Sequence, residues 1–328
     1  MEENIDADDG AALVMAAAAA APNPIKKKPG RPKKKPVAVP VEFLGIVGAP
    51  LAPDDVFEMS YNNPSMFKKI LQIEKGYEPE NIEIVCTATH MLLISEDHSG
   101  QCNICITIAG RFMNYYYARH QLRFFVKRED IGDVFGSITK EHSLISFVLH
   151  EANYRSVLYI STEDSVLSKK MTYGINIVTR EDAAEAREIN CDIDYPLVFV
   201  LAAKDLKNMI ANIKKMSSFI TFLKIDGEPL RIKFIKDQNA ITADAVYDDP
   251  EKIKMRCALG QDMLCISVSI DYIKPFSNSN IGDDVEIAVD RFKKMSTTAF
   301  LDKMIESDDL PLAETHACVV KIYIKIKV

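Results

Sequence analysis

Lys204, Lys207, Lys214 and Lys215 accompany an apolar stripe, Leu206, Met209, Ile210 and Ile213, whose spacing predicts a helix with those lysines toward solvent. An earlier segment repeats the arrangement, with Lys68, Lys69 and Lys75 beside Met66, Phe67, Ile70 and Leu71. Lys140 and Lys274 place further charge on two other helical segments. Ammonium groups on a helix face neither make nor break bonds. Their chemistry is charge neutralisation, and a mobile point cation suits a phosphate without reading a base. The chain carries a net charge of −7, so such faces would form local positive fields on an otherwise acidic protein. An ordinary solvated face gives the same pattern for any single helix, and the segment from Arg128 departs from it by exposing Glu129, Asp130 and Asp133.

Bond-making constellations are hard to assemble from the remaining residues. The sequence holds no GxxxxGK[ST], GxGxxG, HExxH or GxSxG, which argues against a nucleotide hydrolase, a dehydrogenase, a zinc protease or a serine hydrolase. Cys102 and Cys105 form a CxxC inside a run of strand character. Positions i and i+3 of a strand face opposite ways, so neither a metal site nor a cofactor is expected there. The histidines, His90, His98, His120, His142, His150 and His316, are scattered and read as satisfied or solvated side chains. The acid pairs Asp248-Asp249, Asp283-Asp284 and Asp308-Asp309 read as turn residues. Tyr115 to Tyr117 could stack on bases or pack within a sheet, and packing is the favoured reading.

Between Lys26 and Pro36 the chain reads KKKPGRPKKKP, with seven basic residues in an acidic protein. Prolines forbid helix and the glycine permits close backbone approach, so the segment suits an extended arm. It resembles the AT-hook core, Pro29-Gly30-Arg31-Pro32. That resemblance implies Arg31 in a narrow A·T minor groove with Lys33 and Lys34 at phosphates. A solvated linker or a nuclear import signal would use the same residues.

These side chains need elements to hold them. At 328 residues and 48% hydrophobic, the chain can bury a full core and suggests two domains after a tail. The apolar run Ala11 to Ala21 follows acids and is too short to span a bilayer, so no membrane segment is expected. Seven cysteines, mostly in apparent strands, fit reduced thiols and an intracellular setting. Residues 1–55 read as a disordered basic arm. From Val56 onward short β-rich runs alternate with few helices. The acidic stretch 179–195, REDAAEAREINCDID at its centre, reads as a connector that Ile189 and Ile193 could fasten. Setting Leu122 against Leu197, a shift of 75 residues without gaps, aligns Phe124 with Phe199, Asp130 with Asp205, Val134 with Met209 and Ile138 with Ile213. The same strand-then-helix unit is therefore used twice. The expectation is an α+β fold of two tandem similar domains, 56–178 and 196–328, with antiparallel sheets and two helices each.

Two such units joined by an acidic connector, with lysines on helix faces, resemble the sliding clamp family of proliferating cell nuclear antigen. The stretch KKPGRPKKKP followed by FEMSYNNPSMFKKIL is similar to the opening of clamp-like proteins of large DNA viruses. The resemblance implies a protein without a catalytic centre that acts as a DNA polymerase processivity factor. It also implies a head-to-tail homotrimer whose helices line a channel around double-stranded DNA. The lysines already named would then meet the phosphate backbone. Met171 to Val178 and Ile241 to Tyr247 would be the sheet edges joined between copies. Replication or repair proteins would dock through short peptides near Ile189, Ile193, Tyr195 and Pro196. Location would be the host cytoplasm, in viral factories, or the nucleus. Two other readings stay open: a clamp-shaped viral late transcription factor acting as a scaffold, and an enzyme whose dispersed acids or cysteines meet only in the fold.

Overall fold

A strand that runs directly or through a short turn into an amphipathic helix occurs four times, and these four units organise the fold. The computed structural model describes residues 46–47, 51–153, 155–178, 195–213, 217–225, 227–235, 242–247, 253–258, 263–278, 282–290, 294–305 and 311–325. All belong to the compact unit Val39–Val328. The first half comprises β1 (Ile46–Val47), β2 (Asp55–Tyr61), α1 (Ser65–Glu74), β3 (Asn81–Cys86), β4 (His90–Glu96), β5 (Cys102–Ala109), β6 (Tyr115–Ala118), β7 (Leu122–Lys127), α2 (Arg128–Ser137), β8 (His142–His150), β9 (Val157–Asp164) and β10 (Lys169–Val178). The second comprises β11 (Leu197–Ala202), α3 (Ala203–Ile213), β12 (Phe219–Ile225), β13 (Leu230–Ile235), β14 (Thr242–Tyr247), β15 (Met255–Cys257), β16 (Met263–Ser269), α4 (Ile270–Asn278), β17 (Asp284–Val289), β18 (Lys294–Lys303), α5 (Leu312–Thr315) and β19 (His316–Lys325). None of the described helices is long and apolar enough to cross a membrane.

The two halves repeat one topology in chain order. Strands β7-β3-β4-β5 pair in the sequence that β16-β12-β13-β14 follow, and β6-β2-β8-β9-β10 in the sequence of β15-β11-β17-β18-β19. Each strand from β2 to β10 thus has its counterpart nine strands later, α1 matches α3 and α2 matches α4. The 75-residue alignment needs correction on this point. It superposes β7–α2 on β11–α3, two units that occupy different positions in their halves; the counterpart of β7–α2 is β16–α4. A strand leading into an amphipathic helix recurs four times, and α2 and α3 share i, i+3, i+4, i+7 apolar spacing, so periodicity alone matched the wrong pair. Ile46–Val47 is a second difference. It lies in the stretch expected to be irregular, yet pairs in parallel with Tyr115–Tyr116.

Alternation explains the sheets. Strand β4 buries Met91, Leu93 and Ser95 and leaves the residues between them partly open, the signature of a sheet with one face on the core. Strand β18 is buried from Met295 to Leu301, its short Ser296 and Thr298 lying among longer side chains, Tyr323, Glu286 and Lys321, on the neighbouring strands. Helix α1 buries Met66, Phe67, Ile70 and Leu71 on its inner side. Phe67 meets Phe135 of α2 and Phe147 of β8 at ring separations of 5.1 Å each, which locks two helices onto one sheet. Phe199 and Phe222, 5.6 Å apart, join β11 to β12 in the second half.

The halves are joined along one seam. Strands β5 and β19 pair antiparallel from Cys102↔Ile324 to Ile108↔Cys318, merging sheets of both halves into one fifteen-stranded system. Beside them α1 meets α4: a methyl group on Gly76 would collide with the Pro275 ring, and the Tyr77 hydroxyl donates to the Tyr272 carbonyl. The Tyr272 hydroxyl in turn donates to Gln101 Oε1 at 2.8 Å. Asp302 of β18 accepts from Tyr61 (3.0 Å), the last residue of β2, and from Asn63 (2.7 Å) in the β2–α1 turn. It holds φ at +56°, a left-handed conformation that Asp tolerates better than most residues.

Candidate nucleic-acid interface

The helices form a contiguous run. Helix α2 packs on α1, α1 on α4, and α4 on α3. Most of the described lysines expected at phosphates are carried on or beside this run. Lys204 and Lys207 are exposed on α3, Lys68 is exposed on α1, and Lys75 follows it immediately. Lys140 is exposed just past α2, and Lys274 is half-buried on α4. Arg31, Lys33, Lys34, Lys214, Lys215, Ile189 and Ile193 lie outside the described residues.

The lysines are not equivalent. Lys68 Nζ donates to the Ile138 carbonyl at 2.9 Å, just past the end of α2, where unsatisfied carbonyls and the negative helix end favour a cation. Lys69 Nζ lies 4.0 Å from Asp302, with its side chain only 32% exposed, so part of its charge is spent across the seam. Lys75 borders a shallow depression with Lys127, Arg128, His98, Glu78, Glu80 and Glu129. Lys204 and Lys207 have no ion pair among the described residues and sit three apart on one face, which leaves them open to an anion.

Next to Lys75 in the chain is a titratable group that periodicity did not flag. Glu74 is fully buried at the end of α1, and neither carboxylate oxygen has a hydrogen-bond partner among the described residues. Burial raises its pKa from 4.5 to about 8, only partly opposed by the nearby Arg128 guanidinium.

The other candidates resolve into packing. Cys102 is buried and Cys105 half-buried on opposite faces of β5. Among the described residues no group of His, Cys, Asp and Glu could hold a metal ion. His142 Nδ1 contacts Thr139, His150 lies 2.7 Å from Asp55, and His316 Nδ1 contacts Thr315 and the Leu312 carbonyl. Burial lowers the pKa of His90 and His316. Tyr116 is buried and donates to the Thr87 carbonyl at 2.8 Å, so within the tyrosine triplet packing prevails over stacking.

Of the residues expected to receive partner peptides, Tyr195 and Pro196 are described. Tyr195 is 5% exposed, and the Pro196 carbonyl accepts from Ala258 N at 2.7 Å. The sequence reading missed Lys321, whose Nζ stands 5.9 Å from the Tyr195 ring centre and 5.1 Å from that of Tyr323. Across the sheet Glu286 feels Lys321 and Arg256, while burial raises its pKa. Only strand register brings these residues together, through Glu286↔Thr298 and Thr298↔Lys321.

No family model matches the chain. It is 29% identical over 271 residues, 80% of its own length and 89% of the relative's, to a protein of African swine fever virus named only as uncharacterised, from a tick isolate from Malawi. Isolates from a pig in Kenya and a warthog in Namibia match to the same extent. Among solved structures, proliferating cellular nuclear antigen of Entamoeba histolytica superposes with a TM-score of 0.66, at 12% identity, over 84% of this chain and all of that one. The chain is thus similar in sequence to a protein of African swine fever virus and has the fold of proliferating cellular nuclear antigen, mostly antiparallel sheets with few helices.

Proposed function

We propose that the protein is a DNA sliding clamp. Copies join head to tail, three to a ring, enclose duplex DNA, and tether a DNA polymerase and other replication or repair proteins through short peptides. The observation that carries this reading is the one-to-one repetition of β2–β10 by β11–β19 within a clamp fold. The repetition joins β5 to β19 between the halves, whereas among the described residues their counterparts are less fully paired: β14 pairs only with β13, and β10 pairs with β9 and, through Ile177 and Val178 alone, with β7. A heterologous contact of this kind closes into a ring when its rotation fits, and closure hides strand edges that would otherwise invite aggregation.

Domains 56–178 and 196–328, the connector 179–195 and the arm 1–55 are the working parts of this reading. Exposed lysines on the helical run meet backbone phosphates without reading sequence, which permits sliding. Lys204 and Lys207 contribute most directly, because Lys68 and Lys69 are already engaged within the protein. The connector, with Ile189, Ile193, Tyr195 and Pro196, receives partner peptides, and Lys321 and Tyr323 border the place where it rejoins the sheet.

Topology supplies the test. Protein loaded on a nicked circle at low salt and challenged with high salt is expected to remain bound, and to be lost once the circle is cut to a linear form. Equal loss from circular and linear DNA would reduce the interaction to ordinary electrostatic binding and contradict the proposal.

A further inference from the structure

The junction of α1 and α2 holds two groups that the DNA-binding reading leaves unused. Glu74, the last residue of α1, is fully buried, and both its carboxylate oxygens lack a hydrogen-bond partner among the described residues. Burying an unpaired carboxylate costs far more than burying a carboxylic acid, so the side chain is held as the neutral acid. Its pKa of about 8 brings the exchange between the two forms close to neutral pH. Arg128, the first residue of α2, has the matching defect. Its backbone N–H is fixed on the Glu80 carbonyl at 3.1 Å, and its side chain forms no ion pair among the described residues. Its Nε is enclosed and likewise has no partner among them. The same side chain borders the depression with Lys75 and Lys127. One guanidinium therefore has two claimants, the buried acid and an anion settling in the depression.

The other titratable groups around Glu74 are engaged elsewhere or face outward. The Tyr77 hydroxyl donates to the Tyr272 carbonyl and the Tyr272 hydroxyl to Gln101, both within the contact of α1 with α4. On α4, Asp271 is exposed and Lys274 half-buried. Glu78, Glu80, His98 and Glu129 line the depression, and Lys69 leans on Asp302. Arg128 is the charge that acts on Glu74. Resting on the clamp reading, we propose that Glu74 is a positioning residue for Arg128 and that its proton sets the affinity for DNA: neutral Glu74 leaves the guanidinium to a backbone phosphate, and ionised Glu74 withdraws it into a buried pair.

The physics of the exchange follows from burial. An ionised carboxylate with no water around it needs a counter-charge, and Arg128 is the cation in place to supply one. A phosphate that holds Arg128 removes that counter-charge and strengthens the hold of Glu74 on its proton. Linkage makes the two effects equal, so DNA binding near the pKa of Glu74 takes up part of a proton. The direction is set by a pKa raised from 4.5 to about 8: affinity is full while Glu74 is neutral, falls as pH rises through the raised value, and levels off above it. Contacts from lysine and arginine alone give no such dependence, because those side chains stay charged throughout this range.

Titration of a short linear duplex with the full-length chain at fixed low salt, followed by fluorescence anisotropy, tests the switch. Between about pH 7 and about pH 9 the parent is expected to lose at least about 5-fold in affinity. Glu74→Gln should hold across that range the affinity that the parent shows at its lower end. Arg128→Gln should bind more weakly than the parent and without pH dependence, and it carries the test if Glu74→Gln does not fold. Calorimetry of the parent near its Glu74 pKa, in two buffers of different ionisation enthalpy, should register proton uptake on binding, which a merely structural glutamate does not give. A parent that binds equally at both ends of the range, or a Glu74→Gln chain that loses affinity in parallel with it, would overturn the switch and leave the clamp standing. A parent that binds no duplex DNA at any pH would remove the clamp reading, and this inference with it.

Discussion

Lys204 and Lys207 differ from the other described lysines in what they already touch. Lys68 closes the end of α2 and Lys69 leans on Asp302, so replacing either would disturb folding and DNA contact together. Reversing Lys204 and Lys207 to Glu should leave the mass of the assembly unchanged and flatten the salt dependence of DNA binding. Each lost phosphate contact should lower the slope of log K against log salt by about 0.9. A parental slope in the double variant would show these side chains to be merely solvated. Glu74 makes the opposite kind of prediction, about stability. Its folded pKa of about 8 exceeds its ordinary value of 4.5, so the folded chain keeps a proton that the unfolded chain gives up between those values. Stability should fall as pH rises through that window and level off above it. Glu74→Gln removes this dependence, so by urea unfolding the variant should match the parent near pH 4.5 and exceed it by roughly 1–3 kcal/mol above pH 8. A parent curve that rises across the window would sink this account of Glu74.

Elements, rather than single side chains, hold the halves together. Helices α1 and α4 approach closely because residue 76 has no side chain where the Pro275 ring lies. Gly76→Ala should therefore cost about 1–3 kcal/mol by overpacking, read as a lowered midpoint in thermal unfolding. An unchanged midpoint would mean that this helix pair can part freely. The sequence carried much of this architecture. Apolar spacing placed α1 and α3, and the run of strand character around Cys102 and Cys105 is β5 (Cys102–Ala109). What periodicity could not supply was the equivalence between elements. The apolar stripes of α2 and α3 look alike because both helices cover a sheet, although they sit at different places in their halves. Short β15 escaped for a related reason. It adds an edge to the longer β11, and three residues are too few to show a period. In the candidate site, the exposed lysines of α3 were legible as a polar helix face. Lys321 was not, since its meeting with Tyr195 and Tyr323 depends on strand register and cross-strand proximity.

At the scale of the whole molecule, an acidic chain acting as the proposed clamp would have to confine its positive charge, and this sequence does so twice. The body carries lysines along its run of helices, and the N-terminal sequence carries KKKPGRPKKKP. A tethered cationic arm raises the local concentration of DNA near a ring without requiring a folded contact. Deleting residues 1–40 should weaken salt-sensitive DNA binding in a fluorescence titration while leaving assembly intact, and unchanged affinity would leave the arm to other work. The ring itself is the central claim, because a topological tether, unlike a patch of charge, can hold DNA without reading it. Mass in solution tests it most directly. Light scattering across a range of concentrations and salt should give three copies of the 36.8 kDa chain, whereas a single copy under every condition would contradict the account.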